Sequence, residues 1–222
     1  MARPFLSEIL ARSDAVNVAY VVERCHVLGP GARFVIWVQG CPLRCLGCHN
    51  PQFIPFREAK WTTVEKLVQR ITAVDGIEGV TYVGGEPFAQ AEALAALSRR
   101  LRQDGLTVMS YSGFTLGELK SGAVPRACDL LNEIDLLLDG PFRQDQPTRK
   151  PWRGSDNQEL IALSRRYQEF VPLWNLPTGQ EFEVRFLGNG QVEFLGVFPR
   201  ANLSARYVGK EWSWTREERN ST

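Results

Sequence analysis

Three cysteines lie close together in the chain, at Cys41, Cys45 and Cys48. The 222 residues contain five cysteines, an odd number that does not suit a framework of disulfides. Clustered thiols in a reducing compartment more often bind metal or carry out redox chemistry. Three thiolates in one tight loop can hold three irons of a cubane [4Fe–4S] cluster, which leaves the fourth iron open, as in catalytic metal centres.

A structural zinc site is the alternative for the same loop. Such a site takes four ligands, and His49, His26 or Cys25 could supply the fourth. A protein of this kind would be a non-enzymatic module that binds zinc or an iron–sulfur cluster. Cys128, and Cys25 if it is not a ligand, are expected to be buried as small apolar residues.

Alternating strands and helices must position the cysteine loop. Apolar and β-branched runs predict four strands, over residues 33–39, 79–83, 106–111 and 134–138. Helices are predicted from Thr62, from Pro87, over 115–119 and over 126–131. This order predicts an α/β fold with a parallel sheet, in which the cysteine loop directly follows the first strand.

Polar and glycine-rich segments also follow the other three strands, at residues 84–87, 110–113 and 139–142. Functional loops of parallel sheets gather at the carboxyl ends of the strands, so we expect these segments and the cysteine loop to form one site. Gly84 and Gly85 would let the backbone approach a ligand closely. Glu86 could accept a charge-assisted hydrogen bond from an ammonium group.

The C-terminal part of the chain has the pattern of a β-hairpin. Residues 181–187 alternate between polar and apolar side chains, residues 188–190 are Gly-Asn-Gly, and residues 191–198 return. Phe182, Val184 and Phe186 share one face, which we expect to be buried. The hairpin would either pack on the sheet as an extra edge or lid, or border the substrate opening. The last dozen residues are polar and predict a frayed end.

Composition narrows the classes of function. The formal net charge is +1, which provides no global field for nucleic acid or an anionic membrane. No stretch approaches the roughly 18 apolar residues of a membrane helix, and the first residues lack the features of a signal peptide. We therefore expect a cytoplasmic protein with no membrane partner and no clear nucleic-acid signal.

The spacing C-x3-C-x2-C after the first strand of an α/β chain resembles the cluster motif of the radical S-adenosylmethionine (SAM) superfamily. The segment GPGARFVIWVQGCPLRCLGCHNP is similar to the activating enzymes of glycyl-radical proteins, in particular to the anaerobic ribonucleotide reductase activating group. The similarity continues through YVGGEPF, SYSGFTLGEL, IDLLLDGPF and WRGSDNQ, and so covers roughly residues 27–160.

This resemblance implies an incomplete (β/α) radical SAM barrel that carries a [4Fe–4S] cluster on Cys41, Cys45 and Cys48 at its open end. SAM would bind the open iron. One electron from a donor such as flavodoxin or ferredoxin would cleave SAM to methionine and a 5′-deoxyadenosyl radical. That radical would take a hydrogen atom from a glycine of a partner protein, such as an anaerobic ribonucleotide reductase.

The resemblance also implies a set of SAM contacts, and it leaves the catalytic residues unidentified. The amino group of SAM would be received by Gly84, Gly85 and Glu86. Its ribose would meet the hydroxyls of Ser110 and Ser112, and Asp139 would have a polar role near the ligand. The alternative within the superfamily is an enzyme that modifies a peptide, a metabolite or RNA.

The chain departs from the family pattern in two respects. Gly47 precedes the third cysteine, where many radical SAM proteins carry an aromatic residue. The activating enzymes of this group are also more compact at both ends. We therefore predict a radical SAM core over residues 27–168, an N-terminal extension over 1–26, and a C-terminal extension over 169–222 that includes the hairpin.

Overall fold

The structure is a computed structural model that describes residues 12–187, 191–197, 203–208 and 211–216, the last two ranges by their backbone alone. Within these residues the main sheet is built from β1 (Ala15–Cys25), β2 (Arg33–Val38), β3 (Lys60–Thr63), β4 (Gly79–Gly84), β5 (Thr107–Tyr111), β6 (Leu136–Asp139) and β7 (Glu159–Ala162). The order of its seven strands is β3-β1-β2-β4-β5-β6-β7.

The centre of this sheet is parallel. β2 pairs with β4, β4 with β5, and β5 with β6, all in parallel register. This confirms a mixed α/β fold with a large, mostly parallel sheet. Three further strands are antiparallel to their neighbours and were not predicted: β1 beside β2, β3 beside β1, and β7 beside β6. The segment 15–25, which we expected to belong to an extension, is thus hydrogen-bonded into the sheet.

Helices connect the strands of the sheet. They are α1 (Val64–Thr72), α2 (Ala91–Gln103), α3 (Leu116–Lys120), α4 (Ala127–Leu131) and α5 (Val171–Trp174), with short 3-10 helices at Pro51–Phe53, Pro87–Gln90 and Arg165–Tyr167. α1 begins one residue later than its pattern predicts, because Thr63 rather than Thr62 accepts the capping hydrogen bond, from the backbone N–H of Lys66.

The two faces of the sheet are packed differently. On the helix side, Phe34, Ile36, Tyr82 and Val108 form a core with apolar residues of α1 and α2. On the opposite face, here called the inner face, the intervening residues form two smaller apolar clusters. These contain Val35, Trp37, Val83, Met109, Leu136 and Leu138. The alternation of side chains along each strand therefore separates a large helix-side core from the inner face.

The amino ends of the parallel strands are joined by a buried arginine. Arg33 begins β2 and is 0% exposed. Its guanidinium donates to the Val80 carbonyl at 2.7 Å, to the Thr81 hydroxyl at 2.6 Å and to the Thr107 carbonyl at 3.2 Å. Burial lowers the pKa of this guanidinium, and Tyr167 is the group that chiefly opposes the shift. This end of the sheet is opposite the cysteine loop, so Arg33 supports the fold rather than the site.

The C-terminal region adds two antiparallel strand pairs. β8 (Phe182–Phe186) pairs with β9 (Val192–Gly196), and β10 (Leu203–Val208) pairs with β11 (Glu211–Arg216). The turn predicted at residues 188–190 lies outside the described residues. The end that we expected to be frayed forms β11 over 211–216, and residues 217–222 lie outside the described part of the chain.

The orientation of the β8–β9 pair is the reverse of the one predicted. Phe182, Val184 and Phe186 are 57%, 39% and 83% exposed, whereas Leu195 of β9 is buried against the inner face. The polar side of β8 faces the sheet, because Glu183 accepts a hydrogen bond from the His26 backbone N–H at 2.5 Å. The burial predicted for the phenylalanine face is therefore wrong.

Two smaller findings concern individual expectations. Cys25 is buried as expected, but Cys128 is exposed, which corrects the prediction for that residue. Cys128 lies in α4, whose buried residues are Ala127, Leu130 and Leu131 on the side that faces the core. Among the described residues, no helix combines the length and the apolar character that crossing a membrane requires.

Candidate active site

The cysteine loop follows β2 and is fixed at both ends by backbone hydrogen bonds. The N–H of Gly40 donates to the Phe53 carbonyl at 2.8 Å, and the N–H of Cys41 donates to the Ile54 carbonyl at 2.9 Å. Between these anchors, the three cysteines are of intermediate exposure. The loop thus leaves the body of the protein and returns to it at fixed points, with its thiols accessible between them.

Three buried amides support the base of this loop. The Gln90 side chain accepts from the backbone N–H of Asn17 at 2.7 Å and donates to the Gln39 carbonyl at 3.2 Å. The Gln39 side chain donates to the Pro55 carbonyl at 2.7 Å. The Asn17 side chain donates to the Arg57 carbonyl and accepts from the Ala59 N–H. Sequence reasoning missed these residues, because isolated amides in strands and turns carry no motif.

Gly84 and Gly85 bring the end of β4 against the start of the cysteine loop. The Gly85 N–H donates to the Val38 carbonyl at 2.8 Å, and the Glu86 N–H donates to the Gly40 carbonyl at 2.9 Å. A β-carbon on Gly85 would lie 2.3 Å from the Gly40 carbonyl oxygen. Gly84 also has φ of +104°, a backbone conformation that favours glycine. In this structure the glycines allow two backbones to approach each other.

Glu86 connects the loop after β4 to the loop after β5. It is 1% exposed, and its carboxylate accepts from the Phe88 N–H at 3.0 Å, the Ser112 hydroxyl at 3.1 Å and the Gly113 N–H at 2.8 Å. Burial raises the pKa of Glu86 to about 7, and the hydrogen bonds from Gly113, Phe88 and Ser112 oppose that shift. The glutamate is therefore close to its midpoint of ionisation near neutral pH.

One acceptor position of Glu86 is not used by these donors. Oε1 accepts two hydrogen bonds and Oε2 accepts one. A carboxylate offers about four acceptor positions in all. One acceptor position on Oε2 is therefore not filled by these three donors.

The loops after β5 and β6 contact each other, and the loop after β6 also contacts the cysteine loop. Asp139 accepts from the Leu116 N–H at 2.5 Å, which fixes the first turn of α3, and burial raises the pKa of this carboxyl. The Gly140 N–H donates to the Phe114 carbonyl at 3.2 Å. The rings of His49 and Phe142 lie 4.6 Å apart between centroids, so the cysteine loop also contacts the loop after β6.

Ser110 is the one candidate residue that lies apart from this arrangement. It is 0% exposed, and its hydroxyl donates to the Tyr111 carbonyl at 3.0 Å. Val108, two residues earlier, packs in the helix-side core, so Ser110 shares that side of the sheet. Ser112 lies within the arrangement, but its hydroxyl is engaged with Glu86.

The segment WRGSDNQ, at residues 152–158, forms the support of the loop after β6. Arg153 is 0% exposed and donates to the carbonyls of Gln158 and Trp174 at 3.0 and 3.1 Å. The Gln158 side chain donates to the Gly140 carbonyl at 2.9 Å, and Asn157 donates to the Pro141 carbonyl at 2.8 Å. These contacts give the motif a structural role and tie the C-terminal region to the site.

With this geometry established, comparison with known proteins identifies the family. The family described as "4Fe-4S single cluster domain" matches residues 27–161. The anaerobic ribonucleoside-triphosphate reductase-activating protein of Enterobacteria phage T4 is 30% identical over 141 residues, which are 60% of this chain and 86% of that protein. The chain belongs to this family of radical SAM activating enzymes.

In two further relatives, the segment that matches this chain makes up less than two thirds of the relative's own length. A putative glycyl-radical enzyme activating enzyme of Haemophilus influenzae is 37% identical over 60% of this chain and 48% of its own length. The pyruvate formate-lyase-activating enzyme of Staphylococcus epidermidis is 31% identical over 66% of this chain and 61% of its own length. The crystal structure of QueE from Escherichia coli aligns over 50% of this chain with a TM-score of 0.36 and 19% identity.

The cofactors of this radical SAM enzyme are a [4Fe–4S] cluster and SAM, and the side chains of the site fit them. Cys41, Cys45 and Cys48 lie on one loop and are of intermediate exposure, and thiols are the donor type that iron–sulfur clusters use. Burial raises the pKa of Cys41 to about 12, so cluster binding must displace its proton. The remaining acceptor position of Glu86 suits the ammonium group of SAM.

Two of the three side chains considered as a fourth zinc ligand lie far from the cysteine loop. Cys25 pairs with Arg33 at the amino end of β2, so the six residues of β2, about 20 Å, separate Cys25 and His26 from the cysteine loop. Across the described ranges, no group of three or more His, Cys, Asp and Glu side chains is placed to hold one metal ion. A cubane cluster does not require the three thiolates to converge on one ion, because each thiolate binds a different iron.

Proposed function

We propose that this chain activates a glycyl-radical protein by removing a hydrogen atom from one glycine of that partner. The observation that carries the proposal is the connection of the cysteine loop to Glu86, through the hydrogen bond from the Glu86 N–H to the Gly40 carbonyl at 2.9 Å. This contact holds a cluster-binding loop and an ammonium acceptor side by side. The relatives support a protein substrate, because their names describe the activation of a reductase, a glycyl-radical enzyme and a lyase.

In the proposed reaction, the chain's own residues bind and orient the reactants. Cys41, Cys45 and Cys48 hold the cluster, and Glu86 accepts a hydrogen bond from the amino group of SAM. When bound, the cluster and SAM would supply one-electron chemistry that removes a hydrogen atom from the substrate and releases methionine and 5′-deoxyadenosine. The electron would come from a donor such as flavodoxin or ferredoxin.

The outer surface of the cysteine loop suits a large substrate. Pro42, Arg44 and Leu46 are exposed, and Leu46 is 85% exposed between two cysteines. In the proposed complex, a glycine loop of another protein reaches the site from this side, where Leu46 is exposed. We infer that an anaerobic ribonucleotide reductase is the partner, as the name of the phage T4 relative suggests.

The test uses a partner protein labelled with deuterium at the α-carbon of glycine. The purified, cluster-loaded chain is reduced without oxygen and mixed with SAM and the glycyl-radical protein of the same organism. We expect deuterium in the 5′-deoxyadenosine and a Cα-centred radical signal on the partner. Cleavage of SAM without deuterium transfer would overturn the proposed substrate and favour the alternative, a radical SAM enzyme that modifies a peptide, a metabolite or RNA.

A further inference from the structure

One apolar side chain of the cysteine loop is withdrawn from solvent. Leu43, in the stretch between the first two cysteines, is partly buried, whereas its neighbours Pro42 and Arg44 are exposed. Apolar character alone does not explain the difference, because Leu46 of the same loop is 85% exposed. The Leu43 side chain therefore packs against another part of the protein.

Gly113, in the loop after β5, is the residue against which Leu43 packs. A β-carbon on Gly113 would lie 2.3 Å from Leu43 Cδ1, so the leucine methyl occupies the space that a side chain at residue 113 would need. The φ of Gly113 lies outside the left-handed range that favours glycine. The glycine is therefore needed at this position for the close approach of Leu43 and not for its own backbone conformation.

Gly113 also holds the candidate ammonium acceptor. Its N–H donates to Glu86 Oε2 at 2.8 Å, and a β-carbon on this residue would lie 3.7 Å from the same oxygen. Gly113 thus contacts the carboxylate of Glu86 through its amide and the side chain of Leu43 through the space that its missing side chain leaves. The cysteine loop and the carboxylate meet at this one residue.

The backbone of Leu43 contacts the first cysteine. Burial raises the pKa of Cys41, and hydrogen bonds from the backbone of Leu43 and Arg44 oppose this rise. The charge of Glu86 also acts on this thiol, so the carboxylate and the sulfur are near each other. A continuous series of contacts therefore joins a cluster ligand to the carboxylate, from Cys41 through Leu43 and Gly113 to Glu86.

We propose that Leu43 is a positioning residue, which sets the distance between the cysteine loop and Glu86 by its contact with Gly113. In the proposed function, on which this role rests, SAM is held by both the cluster and the glutamate. A ligand that is held at two points binds tightly only when the protein keeps those points correctly spaced. Displacement of Leu43 should therefore weaken SAM binding, although no group that is proposed to contact SAM is removed.

The experiment compares cluster-loaded wild type with Gly113→Ala, Leu43→Ala and the double variant. SAM affinity per cluster is measured by equilibrium dialysis, together with iron content and the electron paramagnetic resonance of the reduced cluster with SAM. In Gly113→Ala the new methyl displaces the Leu43 side chain, and we expect SAM affinity to fall about tenfold and the SAM-dependent signal to change. Leu43→Ala introduces no clash, so it also tests the role by itself, and it should weaken SAM binding about threefold.

The double variant gives the decisive comparison, because Leu43→Ala vacates the space that the alanine methyl at residue 113 needs. Introducing Gly113→Ala into the Leu43→Ala background should therefore weaken SAM binding no further. Iron content should stay close to the wild-type value in every variant, because the three cysteines remain. Gly117→Ala is the matched control, since its methyl would meet only Thr115 Oγ1 at 3.9 Å, and it should bind SAM like wild type.

Three results would overturn the inference. An equal loss of SAM affinity when Gly113→Ala is introduced into either background would mean that the methyl acts on Glu86 directly and not through Leu43. Unchanged SAM affinity in Leu43→Ala would remove its positioning role, and so would a loss of bound SAM that only follows a loss of iron. A wild type that binds no SAM would overturn the proposed function as well, which distinguishes it from these three results.

Discussion

Glu86 Oε2 accepts a hydrogen bond from the backbone N–H of Gly113 at 2.8 Å, so the acidic residue after β4 holds the loop after β5 in place. A second donor from that loop, the Ser112 hydroxyl, binds Oε1 at 3.1 Å. Glu86 therefore has two tasks in this account. It maintains the arrangement of the loops, and it would receive the amino group of SAM through its remaining acceptor position.

Stability should fall with rising pH because of Glu86. Its pKa is raised from 4.5 in the unfolded chain to about 7 in the folded protein, so the folded state binds more protons between these values. The free energy of unfolding then decreases from pH 5 to pH 8, by on the order of 2 to 3 kcal/mol from this group. Denaturant unfolding of SAM-free protein at both pH values measures this loss. The Glu86→Gln variant cannot ionise at this position and should lack that part of the pH dependence. An equal loss of unfolding free energy between pH 5 and pH 8 in both proteins would contradict the assignment to Glu86.

Replacing Gly85 by alanine should separate the two loops that it joins. The added β-carbon would lie 2.3 Å from the Gly40 carbonyl oxygen and cannot be accommodated without moving the backbone. We expect a loss of several kcal/mol, on the order of 3 or more, and poor cluster retention, measured by unfolding and by iron content. Gly117→Ala is the matched control, because its β-carbon would meet only Thr115 Oγ1, at 3.9 Å. Gly117 lies in α3, where alanine is favoured over glycine, so the control should be neutral or slightly stabilised.

The role of Arg33 can be tested against a surface arginine. Arg33→Ala leaves the carbonyls of Val80 and Thr107 without their buried donor, so unfolding should become easier by on the order of 3 kcal/mol or more. Arg70→Ala removes a half-exposed pair with Glu23 and should change stability by less than about 1 kcal/mol. SAM affinity of the fraction that remains folded should be unchanged in both. A stability loss no larger than that of Arg70→Ala would show that the network at the amino ends is dispensable.

Two residues of the β8–β9 pair test its orientation. Leu195→Ala removes a side chain that is 4% exposed and should lower the free energy of unfolding by about 2 to 4 kcal/mol. Phe186→Ala removes one that is 83% exposed and should change stability by no more than about 0.5 kcal/mol. Thermal or denaturant unfolding of both variants decides the question. The reverse order of effects would mean that the phenylalanine face is the buried one, as the sequence had suggested.

The orientation of that pair shows what a sequence pattern determines and what it leaves open. Alternation along residues 181–187 identifies which side chains share a face, and the structure keeps that grouping. It does not determine which face meets the sheet, since that depends on distant partners such as His26, whose backbone N–H donates to Glu183. The four parallel strands were predictable because each is a buried apolar run. β1 was not, because polar residues such as Asn17 and Glu23 interrupt its pattern.

The residues of the candidate site also fall into a group that the sequence predicts and a group that it does not. The cysteines and Glu86 carry recognisable spacing, and placing them after parallel strands was enough to predict that they meet. Gln90 and Asn17 have no such pattern, although their contacts fix the cysteine loop. Ser110 was assigned from its neighbourhood in the sequence alone. The side of the strand on which it lies follows from packing, which the motif does not encode.

The most direct test of the central claim combines metal content with SAM cleavage in protein reconstituted without oxygen. We expect close to four irons and four sulfides per chain, a change in the electron paramagnetic resonance of the reduced cluster when SAM is added, and equal amounts of methionine and 5′-deoxyadenosine. Alanine at Cys41, Cys45 or Cys48 should abolish all three signals, whereas Cys128→Ala, at an exposed thiol outside the site, should keep them. Stoichiometric zinc without sulfide, and no response to SAM, would contradict the account.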